Sequence, residues 1–202
     1  MQIDARTLRG RDLYRLMTSF IVPRPIAWVG TRSPDGRDNL APFSFFMGVT
    51  SKPPSLAISV ARAGRDKLKD TAENILATGV FTVSIPSVNQ VEAVAVTAAR
   101  WSGSELDAAG LHARFGSFVD APFPADARAV AECRLIHQHD LGSAHLLVGE
   151  ILGFHLDDAV VMVRDGKVSI DSVALEPLAR LGGADYAGLG DRFQQAIPEV
   201  DG

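Results

Sequence analysis

The chain has 202 residues, 47% hydrophobic and 22% charged, with a formal net charge of -4. That length suits about one domain with its own core, and the mild acidity excludes bulk attraction to nucleic-acid phosphate. The single cysteine, Cys133, excludes an internal disulfide and fits a reducing compartment.

The first sixteen residues lack the apolar core of a signal peptide, and no stretch approaches the roughly 18 apolar residues of a membrane span. The protein is therefore expected in the cytoplasm, with neither nucleic acid nor membrane as partner. In chain order, residues 26–31 form a buried strand, and SPDGR (33–37) carries Pro, Asp and Gly where a tight turn wants them. NLAPFSFF (39–46) resists assignment: as a strand, neither of its faces is cleanly polar or apolar, and Pro42 argues against an ordinary central strand. LAISVA (56–61) is a strand. DTAENILAT (70–78) is a short helix, with Asp70 as N-cap, Glu73 completing a capping box and Gly79 just past its end.

VFTVSIP (80–86) alternates as a strand, and VNQVEAVAVTAA (88–99) has helical spacing at Val91, Val94, Ala95 and Ala98. Residues 118–128 are a Pro/Ala-rich connector into a strand at 129–137. Cys133 sits in an apolar run there and is expected to be a buried, inert thiol. Strands follow at 145–156 and 161–170, the second split by the hairpin signal Asp165-Gly166. The last twenty residues are Gly-rich and expected as an extended tail, from about 183 to 202, on a single domain spanning 1–202. Many short strands without strand–helix alternation exclude a doubly wound sheet, and no GxGxxG or GxxxxGK[ST] is present. The fold class is mainly β with peripheral helices, in a barrel arrangement.

One charge cluster points to a ligand. In RAGRDKLK (62–69), Arg62, Arg65, Lys67 and Lys69 crowd the start of the 70–78 helix. Cations there oppose the helix dipole, and an anion held between them and the free N–H groups reverses the sign. Thr71 adds a hydroxyl. The plain alternative is a solvated basic loop. NLAPFSFF precedes the cluster by one strand. Its bent backbone, with small Ala41 and Ser44, suits a flat ring, although composition alone favours a proline-bulged core strand. Together, a flat-ring slot and a phosphate site suggest a phosphorylated aromatic cofactor. His137 and His139 alternate on one strand face, but an H-x-H pair without a further ligand is a weak metal signal. No metal site is expected.

The segments RPIAWVGT (24–31), NLAPFSFF (39–46), KPPSLAISV (52–60), KDTAENI (69–75), TGVFTVSI (78–85), NQVEAVAVTAA (89–99), AECRL (131–135), GSAHLLVGEI (142–151) and RLGGADY (180–186) occur in this order. The ordered set resembles the flavin reductase-like family of FMN-binding split β-barrels, including flavoredoxin-type proteins. The resemblance implies a homodimer binding FMN, or FAD, near its interface, with NAD(P)H as reductant. It implies NAD(P)H-dependent reduction of bound or exchanged flavin, with electrons passing to an oxygenase or another acceptor. The alternative is a non-enzymatic FMN-binding electron carrier.

By the same resemblance, Asn39, Leu40, Ala41, Pro42, Phe43 and Ser44 contact the ring and ribityl chain. Ser59, Ala61 and Arg62 follow the ribityl and phosphate, and Lys67, Lys69 and Thr71 hold the phosphate. Trp28, Gly30 and Thr31 line the pocket, His145 stands near the nicotinamide as the candidate catalytic residue, and the RLGG segment with Tyr186 closes over the site. Met47-Gly48 and Lys52 depart from the family pattern, which commonly has a small polar pair and an Asp there.

Overall fold

The computed structural model describes residues 1–64 and 67–198. Arg65, one of the four cations of the basic cluster, lies outside the described residues. The elements are α1 (Gly10–Phe20), β1 (Arg24–Pro25), β2 (Ala27–Arg32), β3 (Asp38–Phe43), β4 (Phe46–Ser51), β5 (Pro54–Ala61), α2 (Asp70–Thr78), β6 (Val80–Ser84), α3 (Val91–Thr97) and α4 (Glu105–Ala108). They continue as β7 (Ala113–Phe115), β8 (Pro122–Pro124), β9 (Ala129–Asp140), β10 (Ala144–Leu156), β11 (Val161–Arg164), β12 (Lys167–Ile170), α5 (Ser172–Leu175), β13 (Ala179–Arg180) and β14 (Tyr186–Ala187). Among them no helix is long and apolar enough to cross a membrane.

Seven strands form one sheet in the order β3-β2-β6-β9-β10-β5-β4. Its two edge strands, β3 and β4, are consecutive in the chain, with only Ser44 and Phe45 between them. The sheet must therefore curl until its edges meet. The Ser59 N–H donates to the Phe45 carbonyl at 2.9 Å, which extends the β4–β5 pairing to the corner where the chain leaves β3. The result is a barrel, mainly β with peripheral helices, as the alternating strands imply.

Side chains explain the curl and its contents. Val29, Phe43, Ile58, Val60, Phe81, Cys133 and Leu147 fill the interior. Burial pushes the Cys133 thiol up to about 12, so it is protonated and inert. A second core, of Ile26, Trp28, Leu40, Val94, Leu106 and Leu178, packs α3 and α4 on the outer side of β2 and β3. β3 is thus covered on both faces: Phe43 points into the barrel and Leu40 toward the helices. This is why residues 39–46 lack alternation. Pro42 is tolerated because β3 is an edge.

Local signals behave as their chemistry dictates, with two exceptions. Gly79 ends α2 in the left-handed region at φ 75. Asp165 and Gly166, at φ 51 and 70, turn β11 into β12 as a two-residue hairpin with both central residues at positive φ. Asp70, however, is not an N-cap. It is the first helical residue, and Lys69 takes the cap position with no side-chain hydrogen bond. The capping box expected there stands instead at Ser87 and Gln90, ahead of α3.

The second exception is α1, for which no helix was expected. Leu13, Leu16, Met17 and Phe20 repeat at helical spacing, and the helix is tied down by Arg24. That buried guanidinium donates to the carbonyls of Thr18, Ile21 (2.9 Å) and Leu181 (2.8 Å), and to Ser44 Oγ at 3.2 Å. The carbonyls at the α1 C-terminus supply the negative end of its dipole to this charge. Within the expected tail, Tyr186 and Ala187 pair with Arg180 and Ala179, and residues 188–198 carry no regular structure.

Candidate functional site

The edge strand β3 borders two clefts that meet at Ala98, just past α3. One, of about 440 Å³, is lined by Pro42, Phe43 and Ser44, by Tyr14 and Arg15 of α1, and by Arg180, Gly183 and Tyr186 of the C-terminal segment. The other, of about 340 Å³, is lined by Asn39, Ala41, Lys67, Lys69, Thr71 and Arg100.

The wall between them is built by β3. The Leu40 N–H points away from β2, to Glu105 Oε2 at 3.4 Å. Backbone groups alternate in direction along an antiparallel strand, so Pro42 and Ser44 also turn their main chain outward. The missing N–H of Pro42 therefore falls where no ladder partner stands. An open backbone edge beside a cleft suits hydrogen bonding to the rim of a flat molecule.

The second cleft sets three cations, Lys67, Lys69 and Arg100, against the carboxylates of Asp70 and Glu105. Among the described residues, Lys67, Lys69 and Arg100 make no ion pair with a carboxylate. The surrounding protein, and after it the Arg100 charge, lower the Lys69 pKa below the usual lysine value. Its ammonium also lies 5.5 Å from the centroid of the Phe43 ring. The N–H groups of Asp70 and Thr71, at the uncapped start of α2, have no protein acceptor among the described residues. The Asn39 amide donates to Thr71 Oγ1 at 3.0 Å and to Thr31 Oγ1 at 3.2 Å, and Asn74 donates to the same Thr31 oxygen at 3.0 Å. Thr71 accepts in this network and keeps its own hydrogen to donate. Unspent N–H groups, a free hydroxyl hydrogen and three cations fit a bound phosphate.

Eight of the expected site residues thus line the clefts: Asn39, Ala41, Pro42, Phe43, Ser44, Lys67, Lys69 and Thr71. Others lie behind. Trp28 and Leu40 have no exposed surface, and the Trp28 indole donates to Thr97 Oγ1 at 2.9 Å. Thr31 is equally buried and supports Asn39. Gly30 faces Pro122, whose carbonyl oxygen stands 1.8 Å from where a Cβ would be, so its lack of a side chain serves packing.

Ser59, Ala61, Arg62 and His145 lie outside both linings: His145 of β10 pairs with Val60 of β5, Ser59 and Ala61 turn to the opposite face of β5, and Arg62 follows β5. Arg62 donates to Asp140 Oδ2 at 2.7 Å, and His145 Nε2 stands 3.9 Å from the same oxygen. The Gly142 N–H, and after it the Arg62 and His145 charges, lower the Asp140 pKa. His145 is 7% exposed, and its Nδ1 and the Nε of Arg62 are buried without partners among the described residues. Ala63, next to Arg62, reaches the second cleft. His137 and His139 are both exposed.

Sequence reasoning did not find Arg11, Arg15 and Arg24 around the first cleft, or Arg100 and Trp101 around the second, whereas Arg180 belongs to the RLGG segment expected there. The α1 arginines had a signal in the helical repeat. Arg100 follows the 88–99 helix and had none.

A sheet rolled until its edges meet, with a groove along its edge strand, defines the FMN-binding split-barrel class. This chain belongs to the flavin reductase like domain family, which matches residues 17–169. It is 39% identical over 203 residues to the uncharacterized protein YwrF of Bacillus subtilis, covering 96% of this chain and 98% of that one. Nitrilotriacetate monooxygenase component B from Bacillus cereus superposes with a TM-score of 0.88 at 31% identity, covering 96% of this chain and 98% of that one. The 2-nitrobenzoate 2-nitroreductase NbaA of Pseudomonas fluorescens gives 0.89 at 27%, covering 98% and 96%.

Proposed function

We propose that this protein is an NAD(P)H-dependent flavin oxidoreductase that holds FMN along the β3 groove. One juxtaposition carries the reading: the outward backbone edge of residues 39–44 leads directly to the uncapped, cation-flanked start of α2. A flat ring with a phosphate on a short chain matches both ends.

A bound flavin supplies two-electron redox chemistry, and the protein supplies binding, orientation and electrostatics. Lys67, Lys69, Thr71 and the α2 N–H groups would hold the phosphate. The outward main chain of Pro42 and Ser44 would meet the ring edge, with Leu40, Thr31 and Asn39 fixing the wall behind. Of Pro42 and Ser44, Ser44 alone keeps an N–H to give, and a donor fixed before reaction favours an anionic ring without reorganisation. His145, beside Asp140 and Arg62, is the candidate for placing the nicotinamide. The likeness to a monooxygenase component supports an oxygenase as acceptor, and the likeness to a nitroreductase supports direct reduction of a small molecule.

A homodimer belongs to the same reading. Tyr14, Met17, Phe20, Ile21 and Val22 of the α1 region, with Met47 and Val49 of β4, expose apolar surface suited to a second copy.

The test is the absorbance spectrum of freshly purified protein, followed by heat release of any chromophore, FMN titration, and rapid mixing with NADH and NADPH. Flavin bands, or tight FMN binding by colourless protein, with fast bleaching by either nucleotide support the reductase. Slow bleaching with both assigns the carrier role, and no FMN binding overturns the reading.

A further inference from the structure

The groove continues past the start of α2. A third cavity, of about 390 Å³, shares Asn39, Asp70, Trp101 and Glu105 with the cation-lined cleft. Its lining has the opposite charge: Asp38, Glu73 and Asp107 stand where the neighbouring cleft has Lys67, Lys69 and Arg100, with Arg37 opposite them. Ser102, Gly103 and Ser104 complete the wall.

Trp101 stands at the junction, 49% exposed, with its indole N–H donated to the Val96 carbonyl at 2.9 Å. That bond holds the ring by its polar edge and leaves apolar ring surface uncovered. An open indole between two cavities is a stacking platform. The carboxylates beyond it repel a further phosphate. They accept hydrogen bonds from ribose hydroxyls and from an exocyclic amine. A neutral purine nucleoside meets both demands.

We propose that this third cavity is an adenosine subsite, taking the adenosine of a dinucleotide whose pyrophosphate lies at the cationic start of α2. The position of the pyrophosphate rests on the flavin reading above. Two dinucleotides carry this group without a further phosphate on its ribose, FAD and NADH, and the experiment separates them.

Calorimetric titration of the wild type, Trp101→Ala and Trp101→Phe with FMN, FAD, NADH and ADP tests it. ADP is expected to bind the wild type. Trp101→Ala is expected to weaken ADP and one dinucleotide roughly tenfold more than FMN, the lower part of the range for base stacking. Trp101→Phe should recover most of that loss. An effect on FAD assigns the subsite to the flavin, and an effect on NADH assigns it to the nicotinamide nucleotide. Equal losses for FMN, FAD and NADH, or FMN binding with neither ADP binding nor a Trp101 effect on a dinucleotide, overturn the subsite and leave the flavin reading intact. ADP binding that Trp101→Ala weakens, in a protein that binds no FMN, keeps the subsite and removes the flavin reading.

Discussion

Asn39 and Thr71 are joined by a 3.0 Å hydrogen bond in which the amide donates and the hydroxyl accepts. The bond fastens the edge strand to the first turn of α2, so the two ends of the groove keep a fixed spacing. It also sets the direction of the Thr71 hydrogen, which is left for a ligand.

From this, Thr71→Ala and Lys67→Ala should each weaken FMN binding much more than riboflavin binding, because riboflavin has no phosphate. A charge-assisted hydrogen bond contributes about 1.5–3 kcal/mol, or roughly 10- to 150-fold in affinity. Parallel titrations with the two ligands measure it, and equal losses for both would remove the phosphate assignment.

His145→Ala should slow flavin reduction by NADH or NADPH at least about tenfold, the scale of a misplaced reactant, with FMN affinity little changed. Stopped-flow bleaching beside an FMN titration separates the two effects. An unaltered rate would return His145 to a purely structural role at the end of the β9–β10 hairpin.

Glu132 has no exposed surface, yet it accepts hydrogen bonds from the N–H groups of Ser117 (3.1 Å), Phe118 and Val119 (both 2.8 Å), and lies 2.5 Å from His155 Nε2. Burial alone raises its pKa, but the His155 bond and the three N–H groups outweigh burial and leave it below 4.5. A lowered folded-state pKa stabilises fully above the ordinary glutamate value and is lost as pH falls through the folded value. Glu132→Gln should cost about 2–4 kcal/mol at neutral pH, with the gap to wild type narrowing below about pH 4.5. Denaturant midpoints across pH check this, and a constant gap would refute it.

Gly30→Ala should destabilise by about 3 kcal/mol or more, since the new Cβ would stand 1.8 Å from the Pro122 carbonyl oxygen, a backbone atom that cannot swing aside. A denaturant midpoint equal to that of the wild type would contradict the packing.

Arg24→Ala should release α1, because the carbonyls of Thr18, Ile21 and Leu181 lose one shared donor. Trypsin should then cut at Arg11 and Arg15 faster than in the wild type. Arg24→Lys should recover only part of the protection, since an ammonium lacks the planar fork. Unchanged cleavage would show that α1 is held by other contacts.

Much of the molecule was determined by local sequence. Strands 56–61 and 80–84 follow from side-chain alternation and run length, and the α2 end and the β11–β12 turn from residues that accept positive φ. The basic run at 62–69 pointed to the start of α2 as a candidate anion site, because dipole and charge are properties of neighbouring residues. The motif order carried the family. What only the tertiary structure decided depends on partners far along the chain. β3 lacks alternation because Val94 and Leu106 cover one face while the barrel covers the other. Lys69 takes the cap position because its own backbone is extended, at φ -81 and ψ 151, while Asp70 is already helical. Gly30 answers to Pro122, and Glu132 to a loop fourteen or so residues earlier. The change of charge sign along the groove arises only when Asp38, Glu73 and Asp107 are brought together beside Trp101. Local conformation is encoded by adjacent residues, whereas a cavity is lined by whatever the folded chain brings to its walls.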